Sequence, residues 1–268
     1  MALPEPSPSA TALITGASSG IGEEIARLLA ERGHGVTLVA RREDRLRSLA
    51  TELAGEHGVR AEPIGVDLGA QEGRDELFER VSGLGLDVEI LVNNAGFGGS
   101  GNVHRSDRDR LTRMVRLNCE ALLDIQANYT PAMAERGRGA VINIASLAAF
   151  QPIPGTATYA ATKAFVLALS EGTSSELSGK GVSVTAVCPG PVKTEFAEAA
   201  GVGEAHEKVP GFIWTNVEDV ASEAVKGADR GHRVVVPGLM NRAGALLGQH
   251  TPRTLVLPVA KRAWRQAL

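Results

Sequence analysis

Short β-rich runs alternate with segments of helical periodicity along nearly the whole chain, and this alternation restricts the possible fold more than any other feature. The runs are Thr11–Thr15, Val36–Ala40, Val59–Val66, Val88–Asn93, Ala140–Ala145, Val182–Val187 and Arg233–Val236. Between them apolar residues recur at helical spacing, as in Ile21, Ile25, Leu28 and Leu29 ahead of Gly33, and in Leu46, Leu49 and Leu53 ahead of Gly58. Val36–Ala40 and Ile142–Ala145 carry little polar alternation, as expected of parallel strands covered by helices on both faces. Seven such units without linker or repeat predict an α/β fold: a single doubly wound, Rossmann-like domain with a mostly parallel seven-stranded sheet flanked by helices. That domain is expected over residues 10–238. Residues 1–9, with three prolines, are expected to form a disordered arm, and residues 239–268 a basic, apolar helical extension.

The first strand runs into Gly16, Ser18, Ser19, Gly20, Ile21 and Gly22, with a helix behind them. Glycines at such a turn let backbone approach a ligand, and the helix N-terminus offers free N–H groups to a pyrophosphate. The spacing is G-x-x-x-G-x-G rather than the more familiar G-x-G-x-x-G. Where an NAD site would carry an acidic residue on the ribose, the second strand ends in Arg41 and Arg42. Two guanidiniums there suit a 2′-phosphate, so the expected cofactor is NADP(H). Asp67, followed by Leu68 after the third strand, reads either as an acceptor for the adenine amine or as a helix cap.

Tyr159 and Lys163 stand four residues apart in a helical segment from about 156 to 177, so their side chains share one face. A phenol is a poor base at neutral pH, and a neighbouring ammonium is expected to lower its pKa into a usable range. Ser146 follows the strand AVINIA at its carboxyl end, where α/β sites lie. Its hydroxyl reads as a holder of substrate oxygen or as a turn residue. Asn118 is a polar residue inside the long helical segment 108–135, and alone it reads first as a satisfied core group.

In their order, TGASSGIG (15–22), NNAG (93–96), Asn118, Ser146, YAATK (159–163) and PGPVKTEF (189–196) resemble the classical short-chain dehydrogenase/reductase family, over nearly the whole stretch from Ala10 to Gly238. The resemblance implies that Tyr159 donates or accepts the proton in carbonyl–alcohol interconversion. It implies that Lys163 lowers the Tyr159 pKa and binds the nicotinamide ribose, that Ser146 polarises the substrate oxygen, and that Asn118 supports a water relay behind Lys163. Asn93, Asn94, Ala95 and Gly96 would line the cofactor pocket, and Pro189, Gly190, Val192 and Thr194 would hold the nicotinamide end. A homodimer or homotetramer through the helices of Asn118 and Tyr159 is implied as well.

Substrate choice is expected in the segment 197–216, with Phe97, Leu147, Phe150, Phe196, Phe212 and Trp214 shaping an apolar pocket for a small carbonyl or alcohol. From Arg230 onward there are seven Arg or Lys and no acidic residue. Such a tail either docks on its own domain, covers a neighbouring subunit, or lies weakly on an anionic membrane surface. The net charge of −3 gives no reason to expect nucleic acid. No metal site is expected from the spacing of the six histidines. Two cysteines, no secretory signal and no apolar run of spanning length point to the cytoplasm. An NADP(H)-dependent oxidoreductase is the leading reading. A nucleotide-binding redox sensor or an interaction scaffold without turnover stays open beside it.

Overall fold

The computed structural model describes residues 3–192, 195 and 214–267, the last five as backbone only. Its seven strands are β1 (Ala10–Thr15), β2 (Val36–Ala40), β3 (Ala61–Gly65), β4 (Asp87–Asn93), β5 (Gly139–Ile144), β6 (Val182–Val187) and β7 (Val234–Val235). They form one sheet in the order β3-β2-β1-β4-β5-β6-β7, every pair parallel. The chain therefore steps outward from β1 to β3, returns through β4 beside β1, and steps outward again. The reversal lies between β1 and β4, where a crevice opens at the carboxyl ends of the strands.

Helices cover both faces because the central strands bury both of theirs. On one face α1 (Gly20–Glu31), α2 (Glu43–His57) and α7 (Val217–Asp229) pack Ile25, Leu29, Leu46, Leu53 and Val225 against Ile14, Leu38 and Ile142. On the other, α3 (Gln71–Gly83) and α5 (Leu122–Arg136) set Leu77, Val81 and Ile125 against Leu13, Leu91 and Val141. α6 (Ala157–Glu176) lies on that second face and buries Ala160, Lys163, Val166, Leu167 and Ser170, one helical stripe. A buried polar chain fixes α6 to the sheet. Asn93 donates to Asn143, which donates in turn to Gln126 on α5 (2.8 Å) and Ser170 on α6 (2.9 Å).

The helical segment expected over 108–135 is found, with a π-helical turn (Arg116–Ala121) between α4 (Arg108–Val115) and α5. One sequence expectation is corrected. The N-terminal arm is not frayed from residue 3 onward. Leu3 is buried with the α1–α2 core, and its N–H donates to Asp229 on α7 at 3.2 Å. After β7, α8 (Leu239–His250) and α9 (Arg253–Ala267) complete the described chain.

Candidate active site

The turn after β1 is built by its glycines and by Asn94. Gly16 and Gly20 take φ of +68° and +62°, a region other residues rarely enter. The Asn94 side chain donates to the Thr15 and Gly16 carbonyls at 3.0 and 3.1 Å, while the Thr15 hydroxyl accepts the Asn94 and Ala95 N–H groups at 3.0 Å each. A Cβ on Gly22 would press into the Asn94 amide and the Gly16 carbonyl, so Gly22 sets how closely α1 meets the turn and does not itself face the cleft. Ser19 caps α1 without a side-chain capping bond, which leaves the first-turn N–H groups to a ligand at the positive end of the helix.

The turn forms one end of a cleft of about 630 Å³. Gly16, Ser18, Ser19, Gly20 and Ile21 line that end, together with Arg41, Arg42, Asp67 and Leu68. Asn94, Ala95, Gly96 and Phe97 line its middle. Ser146, Leu147, Tyr159 and Lys163, with Pro189, Gly190 and Val192, line the far end. The structure thus brings together most of the residues singled out from the sequence.

Some fall elsewhere. Asn93 is buried in the sheet and bonded to Asn143, one position too early to reach the cleft. Phe150 lines a separate cavity of about 350 Å³ between α6 and α9; Ile153 touches both spaces. Trp214 stands just before the Val192–Thr215 bridge and does not line the cleft. Thr194, Phe196 and Phe212, with the segment 197–213, lie outside the described residues. Asp67 does not cap α3, which begins at Gln71; its carboxylate accepts the Gly69 N–H at 3.0 Å and lies exposed at the glycine-turn end of the cleft.

At the far end, Ser146 begins a short 3₁₀ turn (Leu147–Phe150) and hydrogen-bonds the Tyr159 side chain. The Lys163 ammonium is 5.9 Å from the centre of the Tyr159 ring and donates to the Ile144 carbonyl at 2.7 Å. The expected depression of the phenol pKa is reversed. Burial pushes Tyr159 up to about 12 against the pull of the Ser146 hydrogen bond, and burial pushes Lys163 down to about 8. At 5.9 Å the ammonium does not overcome the loss of water around the phenol. Asn118 braces the Phe97 backbone, donating to its carbonyl at 3.0 Å and accepting its N–H at 3.1 Å, and donates also to Thr162 at 3.1 Å. For the expected relay this side chain keeps only the second lone pair of Oδ1.

Sequence reading missed two charged groups, Arg45 and Glu195, at the glycine-turn end. Arg42 donates to the hydroxyls of Ser18 (3.0 Å) and Ser19 (2.8 Å) and to Glu195 (2.7 Å), and Arg45 donates to the same carboxylate at 2.8 Å. Those bonds, from Arg45 and then Arg42, hold the Glu195 pKa at about 2. Arg41 lines the cleft, exposed and without an ion pair among the described residues. The Arg45 position was visible in the run RREDRLR; the pairing with a glutamate 150 residues away was not.

The parallel seven-stranded sheet agrees with the comparisons. A family model for short chain dehydrogenase matches residues 10–204, and the chain belongs to that family of oxidoreductases. It is 37% identical over 218 residues to the NADP-dependent 3-hydroxy acid dehydrogenase YdfG of Salmonella typhi, spanning 81% of this chain and 86% of the relative. Among solved structures it resembles a short-chain dehydrogenase from Sphingobium yanoikuyae in complex with NADPH (TM-score 0.79, 35% identity, covering 97% of this chain and 96% of that one). It also resembles the bulky-bulky ketone specific alcohol dehydrogenase of Comamonas testosteroni (TM-score 0.75, 33% identity, 98% and 96%).

Proposed function

We propose that the protein is an NADP(H)-dependent dehydrogenase/reductase that interconverts a carbonyl and a secondary alcohol on a small, apolar substrate, with Tyr159 as the general acid–base. The observation that carries this reading is the convergence of Ser146, Tyr159 and Lys163 on one end of a cleft whose other end is a glycine turn flanked by Arg41 and Arg42. The cradle fits the cofactor: Gly16, whose Cβ would meet the Asn94 amide at 2.7 Å, lets the turn close tightly on Asn94, and the α1 N-terminus faces a place for a pyrophosphate. Among the described residues Lys163 uses one of its three donors, on Ile144, which leaves two for ribose hydroxyls. Relatives point the same way, one being NADP-dependent and one bound to NADPH.

When bound, the cofactor supplies or takes the hydride. Ser146 holds the substrate oxygen, and Tyr159 gives it a proton in reduction or takes one in oxidation. Asn118 fixes the Phe97 backbone beside the substrate. Leu117, Phe97, Leu147 and Ile153 make the substrate end apolar. Val115, Leu123 and Phe165, exposed on the helices of Asn118 and Tyr159, support a homodimer or homotetramer through those helices. The two free cysteines support a reducing compartment, the cytoplasm.

The test is NADPH oxidation followed by absorbance against ketones, aldehydes, quinones and 3-oxoacyl thioesters, with Tyr159→Phe as control. Tyr159-dependent turnover is expected. Tight NADPH binding without turnover of any class would move the redox-sensor reading ahead.

A further inference from the structure

The last two helices combine exposed leucines with unpaired cations. α8 docks through Asn241 and Ala245, while Leu239 (80% exposed), Met240, Leu246 and Leu247 (68%) face outward. α9 buries none of residues 253–262. Its Leu255, Val259 (70% exposed) and Arg262 are spaced to share one outer face. A helix of 15 residues with Pro258 inside it is marginal in water unless something covers it.

The charge pattern says what the cover is. Seven Arg or Lys and no acidic residue occur from Arg230 to Leu268, in a chain of net charge −3. Arg242 is paired with Glu223 at 2.7 Å, but Arg253, Lys261 and Arg262 are exposed and form no ion pair among the described residues. Two copies meeting through this face would bring the cations of one tail against those of the other, with no carboxylate from either tail between them. An anionic bilayer meets both demands: leucines enter the acyl boundary and cations meet headgroups. We propose that α8 and α9 seat the protein on a membrane surface rich in anionic lipid. Among the described residues no helix is long and apolar enough to cross it.

Co-flotation of the full chain with vesicles tests this without any measurement of turnover, so it succeeds or fails apart from the catalytic reading. Binding is expected to phosphatidylcholine vesicles containing phosphatidylglycerol, not to phosphatidylcholine alone, and to be released by high salt. Lys261→Glu with Arg262→Glu, and separately Leu246→Ser with Leu247→Ser, are expected to weaken it about tenfold or more, with thermal melts unchanged. Failure to float with anionic vesicles, or equal flotation with neutral ones, would overturn the proposal. So would a dimer that dissociates on Leu246→Ser with Leu247→Ser, which would make the face a subunit contact.

Discussion

Arg42 donates to the Glu195 carboxylate across 2.7 Å while its other nitrogens hold the Ser18 and Ser19 hydroxyls of the glycine turn. The pair is exposed on both sides, so it is weak, and a cofactor phosphate at the same place would compete with the carboxylate. Arg42→Ala should weaken NADPH binding by roughly tenfold to a hundredfold, the loss of charged hydrogen bonds, and leave NADH binding unchanged. Glu195→Gln should tighten NADPH binding a few-fold (about 2–5) with NADH again unaffected. Fluorescence titration with both cofactors checks each; weaker NADPH binding by Glu195→Gln would mean that the carboxylate organises the arginines and does not compete.

Tyr159→Phe removes one hydroxyl from a ring held by the same packing. Turnover should fall by at least about 10²-fold, the usual contribution of a positioned proton donor, while the NADPH dissociation constant stays within about twofold. Single-turnover kinetics beside equilibrium binding would show it. A loss of binding equal to the loss of rate would instead make the phenol a cofactor anchor.

Lys163 links stability to pH. Its folded pKa of about 8 lies below the ordinary 10.5, so between those values the unfolded chain holds a proton that the folded one has released. Stability therefore rises as pH climbs through 8, by at most about 3 kcal/mol over the full interval. Tyr159, raised from 10 to about 12, acts with the opposite sign and only above pH 10. Urea unfolding on either side of pH 8 should show the rise in the wild type and its loss in Lys163→Met.

Gly181 offers a test of the scaffold away from the cleft. It takes φ of +72°, and a Cβ there would overlap the Gly137 carbonyl oxygen, so the loop entering β6 accepts no side chain. Gly181→Ala should cost roughly 2–4 kcal/mol in unfolding free energy. Turnover of the folded fraction should be unaltered.

Much of this was legible in the residues, for a physical reason. Strand and helix periodicity are local, so six of the seven strands lie within one residue of the expected bounds at each end, except that β3 is trimmed to Ala61–Gly65. The order of glycine turn, Ser146 and Tyr159 is equally a linear property. Burial and long-range pairing are not. Three prolines marked the arm as loose, and only the packed form shows Leu3 held by Asp229, 226 residues on. Spacing put Lys163 beside Tyr159, yet the sign of the pKa change depends on how much water is lost around both. The π turn is silent in sequence, because Arg116–Ala121 contain neither Gly nor Pro and nothing in their spacing marks the surplus residue.

That turn has a consequence for how this chain can vary. A π turn closes each hydrogen bond five residues back where an α-helix closes it four back, so it holds a surplus residue. Deleting one residue from 116–121 would let α4 and α5 join in a regular helix with their faces kept, since the wide turn is what absorbs the surplus, but the widened turn that presents Asn118 would be gone. Asn118 would swing off the Phe97 backbone. A shorter gene would encode a better helix and a site without its brace, so length at this point is as much a part of the active site as the identity of any side chain in it.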